Sequence, residues 1–282
     1  MRPKRTQFLN LATHFTHALL NSFRILPFVV ALLTTALLPN QVPAQDSTAY
    51  PSKNTGYLAS YWHNGVALVK SPLHWNVDQW IVAGSSLALT GIIISMDEAV
   101  SQPMFNWTNS TGQKFGSIGH DAGSLPVQFG ISGLALGIGA VAKNAPLKNF
   151  ALDNLQAQLY TGGITYLVKE AFHRARPETG EGAYAWYGPF KGKNNESFFS
   201  GHTSMAFSTA TMIFLHSKRK WWVGVLSYGA ATAIGLSRMQ QQKHWASDVV
   251  MGAVIGSSVS MFVYKQQQKR RAALAAGRAR TH

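Results

Sequence analysis

Eight residues of this chain have types and spacings suited to chemistry on an oxyanion: Lys169, Arg176, Ser200, Gly201, His202, Arg238, His244 and Asp248. They lie in three separated stretches, KEAFHRARP, FFSGHTS and SRMQQQKHWASD. Lys169 and Arg176 are seven residues apart, two turns of a helix, so a helical segment would carry both cations on one face. Lysine brings a point charge, and arginine a planar fork that grips phosphate oxygens in pairs. Pro177 ends such a helix and leaves its end in a loop. Ser200 and Gly201 open the apolar run SMAFSTATMIFL. A helix starting there offers free backbone N–H groups and a positive dipole end to an anion, and Gly201 lets the backbone come close. His202 titrates near neutral pH and suits proton donation. His244 and Asp248 stand at i and i+4, neighbours on one helical face. A carboxylate bonded to one ring nitrogen fixes the tautomer and leaves the other nitrogen as nucleophile.

Together these residues suit metal-free phosphoryl transfer through a phosphohistidine. His244 attacks phosphorus and His202 protonates the leaving oxygen. Lys169, Arg176, Arg238 and the N–H groups near Ser200 and Gly201 hold the equatorial oxygens, where charge accumulates. No cofactor and no metal are expected. Each cluster alone reads more simply, His-x3-Asp as a surface helix pair and K-x6-R as a solvated face; their joint occurrence overrides that. His173 reads as incidental, and His120 with Asp121, in GSIGHDAGS, as a turn with a polar tip.

These stretches resemble the type-2 phosphatidic acid phosphatase superfamily, which includes bacterial class A acid phosphatases and vanadium haloperoxidases. Its pattern is K-x6-RP, then PSGH, then SR-x5-H-x3-D. The first and third are complete at Lys169–Pro177 and Ser237–Asp248, while Phe199 stands where the middle motif has proline. Proline there supplies no catalytic atom, so the departure concerns the shape of the loop. The resemblance spans roughly residues 76 to 264 and implies the roles already given.

Only 13% of the 282 residues are charged, about half the usual 25%, and 46% are hydrophobic. The net charge of +14 gathers at the ends: the first 45 residues and the tail from Lys265 carry no Asp or Glu. That pattern belongs to membrane topology, and no basic–aromatic repeat or nucleic-acid motif accompanies it. With no cysteine, disulfides and thiolate metal sites are excluded.

A basic stretch, the apolar run 25–38 and Ala44 read as a signal peptide or N-terminal anchor over 1–44, with cleavage after Ala44. An arm follows at 45–75, with a short amphipathic helix at 56–70, then a helical domain at 76–264 and a basic tail at 265–282. Six helices are expected near 80–96, 127–142, 149–175, 202–216, 221–237 and 244–264. Asp97 and Glu98 read as the end of the first, and 97–125 and 178–198 as loops, the latter a candidate substrate lip. The predicted fold is all-α, a six-helix up-and-down bundle, membrane-associated. Antiparallel packing brings the three motifs to one end and Lys143, Lys148 and Lys218–Lys220 to the other. The basic end is then cytoplasmic and the site faces the periplasm or exterior of a bacterial envelope. A cleaved signal would instead leave 45–75 outside, in conflict with a first span entering from the cytoplasm.

The expected activity is hydrolysis of a lipid phosphate monoester or diphosphate. By resemblance the partner is phosphatidic acid, phosphatidylglycerol phosphate, undecaprenyl diphosphate or a lipid A phosphate. The alternatives are a secreted broad-specificity acid phosphatase, suggested by the signal-like start and polar third helix, a vanadate-dependent haloperoxidase, and an idle scaffold.

Overall fold

The computed structural model describes residues 56–189 and 196–279. The expected signal or anchor at 1–44, with its cleavage point, lies outside the described residues, as do Lys191 and Lys193 and the last three residues of the tail. Among the described residues the chain is all-α, as expected. The helices are α1 (Tyr57–Lys70), α2 (Val77–Phe105), α3 (Ser110–Gly123), α4 (Leu125–Val141), α5 (Ala145–Phe172), α6 (Gly201–His216), α7 (Trp221–Gln240) and α8 (Ala246–Ala279).

Two of these eight lie beyond the six-helix expectation: α1, anticipated as a short amphipathic helix in the arm, and α3. The segment 97–125, read as a loop, is helical over most of its length. Asp97 does not end α2, because its carboxylate is buried mid-helix in an ion pair with Arg174. The glycines of α3 read as breakers but serve as contacts. Gly116, Gly119 and Gly123 line one face, and a methyl group on them would sit 2.1 Å from Gln240 Oε1, 2.1 Å from Ser237 Oγ and 2.6 Å from Ile234 Cγ2. Without side chains α3 lies directly on α7, and burial compensates for the poor helix propensity of glycine.

Helix α6 is the hub, buried along nearly its whole length and packed against α5, α7 and α8. Small residues allow this. Gly252 and Gly256 of α8 face Ser200 and Ser204, where a Cβ would come within 2.8 and 2.1 Å of backbone oxygen. One turn further on, Ser208 and Ser260 share a 2.8 Å hydrogen bond. Small residues one turn apart are how apolar helices approach closely when no hydrophobic force separates lipid from neighbour. Large apolar residues point outward instead: Ile81, Leu87 and Ile92 on α2, Leu134 and Ile138 on α4, and Val225 and Leu226 on α7 are exposed. By length and composition α2 and α8 can each cross a membrane, and α3 with α4, bent by 51°, form a broken third candidate.

The arm helix α1 is built inside out. Its polar face is buried: Tyr57 Oη donates to Leu152 O at 2.5 Å, Asn64 Nδ2 to Gln156 Oε1 at 3.2 Å, and Ser60 Oγ accepts from Gln267 at 3.0 Å. Leu58, Trp62 and Val69 stand outward, as does Leu73 in the short turn after the helix, each at least 80% exposed. These contacts reach the start of α5 and the late part of α8, so α1 shares the end of the bundle that carries Lys143 and Lys148. Helix α1 therefore lies away from the motif end.

Replacing Gly256 by Ala should lower the thermal stability of the detergent-solubilised protein by about 1–3 kcal/mol, because the added methyl group overpacks the α6–α8 contact. Gly130→Ala on α4, where nothing lies within 4 Å, should leave the melting point unchanged or raise it. Equal melting curves for both variants would contradict this account of the packing.

Candidate functional site

Five chain segments deliver the motif residues to one end of the bundle. Lys169 is in the last turn of α5, Ser200 caps α6, and Gly201 and His202 occupy its first turn. Arg238 closes α7, His244 sits in the turn before α8, and Asp248 lies in the first turn of α8. The fifth segment is the connector after α5, which holds Arg176.

That connector corrects one expectation. Helix α5 stops at Phe172 because His173 adopts a left-handed conformation (φ 42°), and the residue before Pro177 is disfavoured in a helix. Lys169 and Arg176 therefore share no helical face; they meet across a turn. His173, set aside on sequence, is the capping residue and is buried. The second correction concerns the loop before α6. The Ser200 N–H donates to Asp248 O at 3.1 Å and is not free for an anion. Helix geometry leaves the first-turn amides of Gly201 and His202 as the available ones. Phe199, in the place of the family's proline, is 1% exposed and fills a core position.

His244 is set up as a one-sided base. Its Nδ1 lies 2.8 Å from Ser197 O. A carbonyl only accepts, so Nδ1 carries the proton and Nε2 keeps its lone pair. The expected direct bond to Asp248 is absent: Asp248 Oδ2 is 3.7 Å from Nδ1, beyond hydrogen-bond range. His244 precedes α8 rather than forming part of it, so the helical i, i+4 geometry does not apply. Asp248 Oδ2 instead accepts from Ser197 Oγ at 2.5 Å and from the Trp245 N–H at 2.8 Å.

Arg174, which the motif spacing passes over, is fully buried behind the site. Its Nη1 donates to Asp248 Oδ1 and its Nη2 to Asp97 Oδ2, both at 2.7 Å. Asp97 in turn accepts from the Ser247 N–H at 2.8 Å, meeting the positive start of α8. The guanidinium lies over Trp186 and Trp245, 4.8 and 5.7 Å from the ring centroids. Two signals for this cluster were in the sequence: a carboxylate interrupting the apolar run of α2, and an arginine between the two motif cations. Trp186, within the candidate lip, is thus a packing residue.

In front of His244 the cations converge. Lys169 Nζ donates to Glu196 O at 2.7 Å. Arg176 and Lys243 pair with Glu178. Arg238 is 6% exposed, and its Nη1 meets Gln241 Oε1 and, at 3.1 Å, His120 Nδ1. His120, read as a turn residue, is on α3 and stacks on His202 with centroids 5.0 Å apart. Three nitrogens of this group are buried without a hydrogen-bond partner: Arg176 Nε, Arg238 Nε and His202 Nε2. Stranded buried polar groups are costly unless a ligand satisfies them. A methyl group on Gly201 would meet nothing nearer than Thr165 Cγ2 at 3.5 Å, so protein packing does not demand a glycine there.

Electrostatics follow from this crowding, at groups outside the candidate spans. Burial, then Arg238 and His244, push His202 down to about 3. Burial pushes His244 down to about 4, against the opposing pull of Asp248. Burial and Arg176 lower Lys169 to about 8. Both histidines are therefore neutral at pH 7.

Residues 151–272 match the family model of the PAP2 superfamily. Among curated proteins, the chain is 36% identical over 104 residues to a lipid A 1-phosphatase of Porphyromonas gingivalis, covering 36% of this chain and 20% of that protein. It is 31% identical over 147 residues to lipid phosphate phosphatase 1 of Arabidopsis thaliana, covering 43% of this chain and 45% of that protein. The chain thus spans less than half the length of these relatives. Among solved structures, a transmembrane PAP2-type phosphatidylglycerolphosphate phosphatase from Bacillus subtilis aligns with 66% of this chain and 95% of its own, at 20% identity and a TM-score of 0.49.

Arg174→Met should cost about 3–5 kcal/mol, since it leaves two carboxylates buried without their cation; a melting curve equal to wild type would refute the pairing. A pH dependence follows from the histidines. Their folded-state values lie below the ordinary 6.5, so the unfolded chain binds more protons at acid pH. The stability contributed is complete above pH 6.5 and should drain away as pH falls toward 4, with His202→Asn flattening part of the slope in a thermal-shift series.

Proposed function

Starting from residues 151–272 as a PAP2 superfamily segment, we propose that this protein is a membrane-embedded phosphatase that hydrolyses a lipid phosphate monoester or diphosphate. The phosphatase domain is taken as 76–264, although α8 does not end there: it continues unbroken through the basic stretch to Ala279, and Gln267 and Arg271 bond to Ser60 and Asp153. The observation that carries the reading is the set of stranded buried nitrogens on Arg176, Arg238 and His202 around a histidine whose tautomer is already set.

In this reading His244 Nε2 attacks phosphorus in line with the ester bond. The P–O bond breaks as the P–N bond forms, and His202 gives its proton to the departing alkoxide or phosphate oxygen. Water then attacks the phosphohistidine, His202 takes a proton from that water, and the P–N bond breaks to return His244 and free phosphate. Lys169, Arg176, Arg238 and the Gly201 and His202 amides hold the equatorial oxygens through both steps. Asp248, through Ser197, keeps the Nδ1 proton in place, and Ser200 fixes the start of α6. The charge is carried by side chains and amides, and the step needs no metal.

Pushed down to about 3, His202 is neutral at pH 7 and has to gain a proton before it can act as the acid. Burial is the main cause that keeps His202 low, and the cations of the pocket add to it. A bound phosphate neutralises them and adds an acceptor, so His202 gains its proton together with the substrate. A lipid substrate is supported by the outward apolar surfaces of α2, α4 and α7, by the two membrane-length helices, and by similarity to proteins named as lipid phosphatases. With the basic end cytoplasmic, the site opens toward the periplasm or exterior.

Purified protein in detergent should release phosphate from lipid phosphates, with turnover unaffected by EDTA. His244→Ala should reduce it to background, and unchanged turnover in that variant would refute the nucleophile. Calorimetric titration with inorganic phosphate near pH 7, repeated in buffers of different ionisation enthalpy, should show net proton uptake in wild type and less in His202→Asn. No uptake in wild type would rule out His202 as an acid loaded with the substrate.

A further inference from the structure

We infer that His120 is a positioning residue of the phosphate site, holding the guanidinium of Arg238 in place and covering the ring of His202. It lies in none of the three motif stretches. It is brought there by α3, whose Gly119 and Gly123 lie against Ser237 and His202: a Cβ on Gly119 would meet Ser237 Oγ at 2.1 Å, and one on Gly123 would meet His202 Cδ2 at 3.0 Å. This glycine face lets the histidine beside it reach both residues.

The chemistry of the contact is one-directional. A guanidinium has donors only, so the 3.1 Å approach of Arg238 Nη1 to His120 Nδ1 makes Nδ1 the acceptor. His120 is then neutral with its proton on Nε2. Arg238 Nη1 is held from two sides, by His120 and by Gln241 Oε1, while the Nε of the same guanidinium is buried and unpartnered. One edge of the fork is clamped so that the other edge remains presented to an anion. The near-parallel stack of His120 on His202, 28° between planes, restrains that ring as well. His120 itself is exposed, so replacing it does not disturb the core. The inference deepens the reading of this pocket as a phosphate site and rests on it.

The test is a double-mutant cycle on full-length protein in detergent, reading inorganic phosphate affinity by calorimetry and kcat/KM on a lipid phosphate. His120→Phe keeps a stacking ring and removes the acceptor; it should weaken phosphate binding roughly tenfold, the scale of a hydrogen bond to a charged group. His120→Asn, whose Oδ1 replaces Nδ1 as acceptor, should restore affinity to within about threefold of wild type. In an Arg238→Ala background, His120→Phe should have less than about a twofold effect, because the partner it positions is gone. Wild-type affinity in His120→Phe, additive losses in the cycle, or no rescue by Asn would each overturn the inference. If wild type binds phosphate but hydrolyses no lipid phosphate, the lipid phosphatase reading fails while the affinity cycle still decides the role of His120. If wild type binds no phosphate, both fail.

Discussion

A buried arginine shared by two buried carboxylates is the constraint on which the rest of this structure depends. Arg174 joins Asp97 of α2 to Asp248 of α8 with no exposure of any of the three side chains. Ions taken out of water this completely are tolerable only when paired and hydrogen-bonded throughout. Each member meets that condition. Asp97 takes the amide and hydroxyl of Ser247, Asp248 takes Ser197 and the Trp245 amide, and Arg174 also donates to the Ala183 carbonyl. The cluster therefore fixes where α8 begins, how far α5 runs and where the loop before α6 passes. Those three boundaries set the places of His244, Arg176 and His202.

The front and back of the site follow opposite rules. Behind His244 every charge has its counter-charge. Before it, cations outnumber anions, and Glu178 is drawn by both Arg176 and Lys243. The fold concentrates positive potential by satisfying the rear fully and leaving the front short of acceptors. A neutral His244 is the natural product of that arrangement, because burial and nearby Lys169 oppose its protonation while its Nδ1 proton is held by a carbonyl.

How much of this was legible in the sequence depended on whether the signal was local. The all-α class and most helix positions followed from apolar runs, and the three motifs named the residues that the fold brings to one end. Non-local contacts escaped. The glycines of α3 looked like breakers, since only the facing Ser237 and Gln240 show why no side chain fits. Asp97 looked like a helix end because its partner is 77 positions away. Helical spacing misled twice: Lys169 and Arg176 lie on either side of a helix stop, and His244 precedes the helix that carries Asp248. In both places the arithmetic of 3.6 residues per turn was applied across a boundary that tertiary contacts had set.

The inverted helix α1 turns the bundle into a depth gauge. Its outward apolar stripe and the adjoining Trp75 and Trp80 suit the boundary between headgroups and acyl chains. From the start of α2 at Val77, a rise of 1.5 Å per residue carries the chain about 30 Å by Asp97, the thickness of a bilayer's hydrocarbon core. If α1 floats on one surface, the Asp97–Arg174 cluster, and His244 beside it, comes level with the opposite one. The phosphate of the lipid proposed as substrate would lie at that height and would arrive by sliding sideways within its own leaflet.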